Sequence, residues 1–201
     1  MKTKIIMNSG GIRNNLKLKK KFHQEMIKGL NKDEINILIC SFAQAREYWE
    51  EKFPGYAKSI EEDIPATKLK FSLAMPSEFA NQIERSDIIY FNGGDDHLFA
   101  YWMNQFDFSL FLGKILSTNS GSSDYLSDSF WPNDWKFPMK GSGIIPIKFI
   151  PHYGADSKVD WLLAKEELAL YGNKDLPIYV LKEGEFVVFE TEDGHEFKET
   201  R

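Results

Sequence analysis

A run of small residues at positions 117–122 is the part of the sequence best suited to hold a reactive side chain. It reads Ser-Thr-Asn-Ser-Gly-Ser and follows an apolar run, so we expect it at a corner between a strand and a helix. Nucleophilic hydrolases place the attacking serine on such a corner, where only small residues fit two positions before and two positions after it. The segment is therefore a candidate nucleophile elbow.

Two registers of this elbow are compatible with the sequence. With Asn119 at the centre, the flanking residues are Ser117 and Gly121; with Ser120 at the centre, they are a threonine and a serine. The smaller flanking pair favours Asn119. An amide is not a competent nucleophile, however, whereas the Ser120 hydroxyl is. The sequence thus predicts an elbow centred on Asn119, with Ser120 as the competent alternative.

His152 follows a predicted strand and is the candidate general base. It lies downstream of the elbow and of an acidic stretch that contains Asp124, Asp128 and Asp134. The order nucleophile, acid, base along the chain is that of the α/β-hydrolases, in which the acid orients the imidazole. Any of the three aspartates could be that acid.

A double glycine, Gly93-Gly94, leads through Asp95 into a predicted helix. Glycines let the backbone approach a ligand closely and direct free N–H groups at an anion. In acyl transfer, such groups stabilise the oxyanion of the intermediate. Like the other two motifs, this one follows a predicted strand, and ligands of open α/β sheets bind beyond the carboxyl ends of the strands.

The elements that position these motifs alternate between short apolar runs and segments with helical periodicity. This alternation predicts an α/β fold with a doubly wound, mostly parallel sheet. The apolar runs 178–181 and 186–189 predict a C-terminal β-hairpin. The polar stretch 122–143 is expected to be an irregular loop that is functional or mobile, and that could close over a substrate. We expect strands at residues 4–8, 35–42, 69–74, 87–92, 114–118 and 144–150, and helices at 16–30, 43–53, 77–85, 98–105 and 158–171.

Taken together, these segments resemble the aspartyl dipeptidase (dipeptidase E) family of serine peptidases, which is related to the cyanophycinases. The resemblance covers nearly the whole chain. It implies a flavodoxin-like fold similar to that of class I glutamine amidotransferases, a Ser-His-Asp/Glu triad and a preference for peptide bonds that follow aspartate. It rests on the Gly-Gly helix start, the elbow, the closing hairpin and the segments 131–135 (Trp-Pro-Asn-Asp-Trp), 143–146 (Gly-Ile-Ile-Pro) and 151–153 (Pro-His-Tyr).

The resemblance gives individual positions a role. The family's catalytic serine falls on Asn119, its histidine on His152 and its acid on Asp134. Lys158 stands near the position where family members often carry an arginine that binds substrate.

The glycine-rich start of the helix in this family, Gly-Gly-Gly-Asn, corresponds to residues 92–95, which read Asn-Gly-Gly-Asp. Gly93, Gly94, Asp95 and Ser120 are therefore expected to bind substrate or the oxyanion, with the Gly94 N–H as one donor.

Composition limits the partners of this chain. With 25 basic against 30 acidic residues the net charge is -5, and the charges are spread along the chain, so nucleic acid is not an expected partner. No apolar run is long enough for a membrane span, and Cys40, the single cysteine, leaves no internal disulfide. We expect a cytoplasmic, single-domain protein over residues 1–201, monomeric or homodimeric, without metal or cofactor, that binds a small peptide or amino-acid-derived ligand.

Two functions remain open from the sequence. In the first, the protein is a serine-type dipeptidase that hydrolyses Asp-X bonds, with an altered nucleophile position. In the second, Asn119 makes it a catalytically inactive family member that binds or regulates through the same pocket. Fold alone does not separate an enzyme from a binding protein on the same scaffold.

Overall fold

The computed structural model describes residues 2–200, so the outermost residues of the predicted domain, Met1 and Arg201, lie outside the described residues. Its strands are β1 (Thr3–Asn8), β2 (Glu34–Cys40), β3 (Lys68–Leu73), β4 (Ile88–Phe91), β5 (Ile115–Asn119), β6 (Ser127–Phe130), β7 (Met139–Lys140), β8 (Ile145–Ile150), β9 (Ile178–Val180), β10 (Phe186–Thr191) and β11 (Lys198–Glu199). Its α-helices are α1 (Leu16–Ile27), α2 (Trp49–Asp63), α3 (Phe79–Glu84), α4 (Asp96–Met103), α5 (Gly121–Leu126) and α6 (Trp161–Leu170).

The main sheet has seven strands in the order β11-β10-β1-β5-β4-β2-β3. The five strands from β1 to β3 in this order run parallel, while β10 pairs antiparallel with β1, and β11 with β10. The predicted α/β class with a doubly wound, mostly parallel sheet is confirmed. A C-terminal hairpin is also present, and it is formed by the antiparallel pair β10 and β11.

Both faces of this sheet are buried, which explains the unbroken apolar runs of its strands. Successive residues of a strand point to opposite faces. Accordingly, Ile5 and Met7 of β1 belong to one buried cluster, whereas Ile6 belongs to another. The carboxyl ends of the parallel strands therefore meet at one edge, where the candidate motifs follow β4 and β5.

A second sheet has the strand order β7-β6-β8-β9. It shows that the pairing predicted for one strand was wrong. The run 178–181 was expected to form a hairpin with 186–189. Instead, Ile178–Val180 pairs in parallel with β8, with Val180 opposite Ile150. The turn between residues 181 and 186 leads from the second sheet to the main sheet. β10 therefore forms its hairpin with β11 and not with β9.

The stretch 122–143 is not the irregular loop that its polarity predicted. It contains most of α5, all of β6 and β7, and four completely buried serines. Small hydroxyl side chains can be buried when they bond to backbone groups. The Ser123 hydroxyl donates to the Asn8 carbonyl at 2.9 Å, and the Ser127 hydroxyl to the Asp124 carbonyl at 2.7 Å.

The helix expected at 43–53 begins later, at Trp49, and continues past Pro54 to Asp63. Residues before it form a turn that supports the double glycine. The Ala43 carbonyl accepts from the Asp95 N–H at 2.8 Å, and the Gln44 amide donates to the Gly93 carbonyl at 3.1 Å. Tertiary hydrogen bonds thus replace helical ones in this segment. Within residues 2–200, no helix is both long enough and apolar enough to cross a membrane.

Candidate active site

Ser120 occupies the corner between β5 and α5. Its backbone has φ 52° and ψ -121°, a conformation that residues other than glycine adopt only under strain. The Ser120 N–H donates to the Asn8 carbonyl of the neighbouring strand at 2.9 Å, which fixes the corner. This is the backbone geometry of a nucleophile elbow, with a serine at its centre.

Asn119 does not occupy the strained position, so the predicted register is wrong by one residue. Asn119 is the last residue of β5, its φ is not positive, and its N–H donates to the Ser122 hydroxyl at 2.8 Å. The flanking residues that were judged too large are accommodated by hydrogen bonds within the corner. The Thr118 hydroxyl donates to the Ile6 carbonyl at 3.1 Å, and the Ser122 hydroxyl to the Asn119 carbonyl at 3.1 Å.

His152 follows β8 and reaches Ser120 across the edge of the sheet. Its Nε2 lies 3.0 Å from the Ser120 hydroxyl oxygen, within hydrogen-bond distance. The His152 backbone has φ 52°, a second strained position in this site. Gly10 leaves the space that the imidazole fills, since a Cβ on Gly10 would lie 2.4 Å from His152 Cε1 and Nε2.

Glu183 is the carboxylate that orients His152. Its Oε1 lies 3.3 Å from His152 Nδ1, and its Oε2 accepts from the Asn14 amide at 2.9 Å. The hydrogen bond from Asn14 is the main cause that holds the pKa of Glu183 below its ordinary value. Burial acts in the opposite direction, and the interactions with His152 lower the pKa further. The ionised form therefore faces the imidazole.

Asp134 was the predicted acid, and this assignment is wrong. Asp134 lines the same cavity as His152, but the carboxylate within hydrogen-bond distance of the imidazole is that of Glu183. From the sequence, Glu183 had no predicted role in the site. A signal was available, because a strand parallel to β8 ends at the same edge as β8 and brings the following turn beside His152.

The Gly93-Gly94 turn packs directly against the elbow. A Cβ on Gly93 would lie 2.7 Å from the Asn119 carbonyl oxygen, and one on Gly121 would lie 2.4 Å from the Gly94 carbonyl oxygen. Within the part of the chain that the structure describes, the N–H groups of Gly94 and Gly121 donate to no protein acceptor. Both are thus free to bind an oxyanion next to Ser120.

The remaining predicted residues have different positions. Asp95 caps α4, since its carboxylate accepts from the Leu98 N–H at 2.8 Å, and it also lines the site. Lys158 is exposed and is absent from the lining of the cavities around Ser120. It lies in the turn before α6, where its backbone N–H donates to the Asp156 carboxylate at 2.8 Å.

Two cavities of opposite charge meet at Ser120 and His152. We call the first, of about 650 Å³, the basic cavity, because its lining includes Arg13 and Lys19. The second, of about 660 Å³, is the acidic cavity, and its charged lining residues are Asp95, Asp96, Asp124, Asp134, Asp156 and Glu183. A substrate at Ser120 would extend into both.

In the basic cavity, Arg13 is the cation without a carboxylate partner. Its guanidinium lies 5.3 Å from the centroid of the Tyr56 ring, and it takes part in none of the ion pairs among residues 2–200. Lys19, by contrast, pairs with Asp63 at 3.3 Å and donates to the Ser59 hydroxyl at 3.2 Å. Sequence reasoning missed Arg13, which lies far from the other site residues along the chain.

Comparison with known proteins places the fold among peptidases. No family model matches the sequence, and no curated protein matches it. Among solved structures, a peptidase from an acI-B1 Actinobacterium matches with a TM-score of 0.59 at 18% identity, covering 100% of this chain and 94% of that one. A candidate peptidase E protein from Listeria monocytogenes EGD-e matches with a TM-score of 0.58 at 12% identity, covering 100% and 99%. This chain is similar to both in fold.

Proposed function

We propose that this protein is an active serine-type peptidase of the aspartyl dipeptidase kind, with Ser120 as the nucleophile. The observation that carries the proposal is the 3.0 Å distance between the Ser120 hydroxyl and His152 Nε2, at a residue with φ 52°. Its fold, shared with peptidases at full coverage, agrees with this activity. The residues Ser120, His152 and Glu183 are of the types used in nucleophilic catalysis.

In the proposed reaction, each residue has one role. Ser120 attacks the carbonyl carbon of the scissile amide while His152 accepts the hydroxyl proton. His152 then gives this proton to the departing amine, and an acyl-enzyme remains. Water, activated by the same imidazole, hydrolyses the ester and regenerates Ser120. Glu183 keeps the Nδ1 proton directed at itself, so that Nε2 is free to accept the proton of Ser120.

The oxyanion is assigned to backbone groups. The N–H of Gly121, directly after the nucleophile, and that of Gly94, across the elbow, are the two donors. Donors of this kind stabilise the intermediate because they are fixed before the charge develops. The glycines at these positions allow the two backbones to approach closely.

A preference for aspartate before the scissile bond is assigned to Arg13. The guanidinium in the basic cavity is unpaired among residues 2–200 and suits a carboxylate, which it can bind with two hydrogen bonds. Arg13 takes the role that the sequence had suggested for Lys158.

The alternative of an inactive binding protein rested on Asn119 at the centre of the elbow. In the structure, Ser120 has the positive φ, and Asn119 ends the strand before it. The position of Asn119 therefore gives no support to the alternative.

The test is covalent labelling with a fluorophosphonate, followed by mass spectrometry of the labelled peptide. We expect labelling at Ser120, loss of labelling in Ser120→Ala, and hydrolysis of an Asp-X dipeptide by the natural protein but not by Ser120→Ala. Ser77→Ala, which changes an exposed serine outside the site, serves as the control and should label normally. If Ser120→Ala retains labelling and turnover, the proposal is wrong.

A further inference from the structure

The acidic cavity contains two buried carboxyl groups that lack a basic partner. Asp124 is 3% exposed and Asp96 is 8% exposed. Asp124 Oδ1 and Asp96 Oδ2 are buried, and neither accepts a hydrogen bond from any residue in the range 2–200. The ion pairs of this cavity's carboxylates belong to other residues: Asp156 lies 3.9 Å from Lys136, and Glu183 lies 3.3 Å from His152.

Such an arrangement is costly unless a ligand compensates it. A buried polar atom without a partner loses its hydration and gains nothing in return, and buried carboxylates are normally paired. Burial, together with the nearby charges of Asp96 and Asp134, raises the pKa of Asp124 well above its ordinary value. A cation in the cavity would supply both the missing donors and the missing charge.

The position of these carboxyl groups connects them to the substrate. Asp96 and Asp124 line the same cavity as Ser120 and His152, on the opposite side of the nucleophile from Arg13. A molecule whose carbonyl group lies at Ser120 therefore has its other part within reach of the two acids. The Trp135 ring borders this part, and its Nε1 donates to Asp96 Oδ1 at 3.4 Å.

The chemistry of the cavity favours an organic cation over a metal ion. Among the described residues, no group of three or more His, Cys, Asp or Glu side chains is arranged to hold a metal. An aromatic ring beside the carboxyl groups suits an ammonium, which is attracted to both. A primary ammonium has three donors, enough to reach both unpartnered oxygens.

We propose that Asp96 and Asp124 form a subsite for a primary ammonium group of the substrate. This inference rests on the proposed function and extends it, since it makes the substrate a dipolar molecule with a carboxylate in the basic cavity and an ammonium in the acidic one. Two sources of the ammonium share this chemistry: the α-amino group of a dipeptide and the side chain of a lysine.

The subsite is tested first by direct binding, which does not require turnover. Calorimetry should show saturable binding of n-butylammonium and no binding of 1-butanol, its uncharged analogue. Asp96→Asn and Asp124→Asn keep the shape of the side chain and remove the charge. Each should therefore lower the affinity for n-butylammonium at least about tenfold. Asp107→Asn is the matched control, since it removes one carboxylate from a short helical turn outside both cavities.

The source of the ammonium is tested with four substrates: Asp-Lys, Asp-norleucine and their N-acetyl forms. If the α-amino group binds, acetylation lowers kcat/KM at least about tenfold in the natural protein. If the side chain binds, replacing lysine by norleucine has that effect. In either case the discrimination should fall to about twofold in Asp96→Asn and Asp124→Asn.

Failure of this inference and failure of the proposed function give different results. Without labelling at Ser120, the proposed function fails even if n-butylammonium binds. With labelling at Ser120 but equal affinities for n-butylammonium in the natural protein and both variants, the ammonium subsite is wrong. Discrimination between charged and uncharged substrates that survives in both variants also overturns it.

Discussion

Three residues with positive φ hold the reactive groups in register. Ser120 and His152 both have φ 52°, and Gly10, which contacts the imidazole, has φ 93°. A non-glycine residue in a sparsely populated region costs about 1–3 kcal/mol, so such residues persist only where the surrounding structure enforces them. Here the strained pair consists of the two residues that exchange the proton in the proposed reaction.

At this scale, Glu183 should matter far more than Asp134. Glu183→Gln replaces the acceptor for the His152 Nδ1 proton by a neutral group that can stabilise the wrong tautomer, so kcat should fall about a hundredfold or more. Asp134→Asn should have a much smaller effect, because Asp134 does not hydrogen-bond the imidazole. Steady-state kinetics on an Asp-X dipeptide measures both. A larger loss in Asp134→Asn would restore the assignment made from the sequence.

Gly10→Ala should inactivate the protein through a steric effect on His152. The new Cβ would lie 2.4 Å from the imidazole, and displacing a catalytic group by about 1 Å can cost about a hundredfold in rate. Gly29→Ala is a matched control, since Gly29 has φ 90° and nothing within 4 Å of the added Cβ.

Gly29→Ala should lower the free energy of unfolding by about 1–2 kcal/mol, because it places a side chain at positive φ, and Gly10→Ala should lower it at least as much, because its Cβ also meets His152. Only Gly10→Ala should lose labelling by fluorophosphonate. Equal labelling rates in the two variants would show that His152 adapts to the added methyl group.

Among the elements, α6 depends on a buried lysine of β8. The Lys148 side chain is completely buried, and its ammonium donates to the carbonyls of Leu168, Ala169 and Tyr171 at 2.8, 2.8 and 2.7 Å. These carbonyls lie at the carboxyl end of the helix, which carries a negative partial charge. Within residues 2–200, only that of Leu168 among them also accepts a backbone hydrogen bond, from the Tyr171 N–H at 3.2 Å. One side chain thus attaches α6 to the second sheet.

Lys148→Met should therefore destabilise the protein strongly despite its similar size and greater hydrophobicity. It removes the ammonium donor from three carbonyls, two of which then have no donor among the described residues, so the free energy of unfolding should fall by about 3 kcal/mol. Urea denaturation followed by circular dichroism measures the change. Lys140→Met, at an exposed position of β7, is the control and should change the stability by less than about 0.5 kcal/mol. An equal, small effect in both variants would contradict this role of Lys148.

At the scale of the whole molecule, the packing of α1 on α2 should make stability depend on pH. His23 is buried between these helices, with Nδ1 2.7 Å from the Asp63 carboxylate. Burial lowers the pKa of His23 below 6.5, and this outweighs the opposite effect of Asp63. In acid, the unfolded chain then binds a proton at His23 before the folded protein does.

The sign of the effect follows from this difference in proton binding. As the pH falls below about 6.5, the unfolded state gains the proton and the free energy of unfolding decreases, until the folded pKa is reached. His23→Gln should lose less stability than the natural protein between about pH 7 and about pH 5. Urea denaturation at the two values measures this, with His195→Gln, at an exposed histidine, as the control. Parallel pH profiles for all three proteins would exclude His23 as the source.

The fold class and the region of the site could be predicted from the residue pattern alone. Apolar runs of four to eight residues alternating with helical periods are enough to specify a parallel sheet, because such strands must be buried on both faces. The observed strands β1 to β5 lie within one or two residues of the predicted ones. The edge that carries the Gly93-Gly94 turn and the elbow follows from the same pattern, because both come directly after parallel strands of the main sheet. His152 also follows a strand, but that strand, β8, belongs to the second sheet.

The residue pattern did not predict which side chains at that edge hydrogen-bond one another, because this depends on tertiary contacts. The elbow is centred on Ser120 instead of Asn119 because of the residue at which β5 ends. The hydrogen bonds of Thr118 and Ser122 fix that end. The choice of Glu183 over Asp134 depends on β9 joining the second sheet, which brings Glu183, 31 residues after His152 along the chain, beside the imidazole. The physical reason is that a spacing pattern reports local periodicity, whereas strand ends and sheet partners are set by contacts between residues distant in sequence.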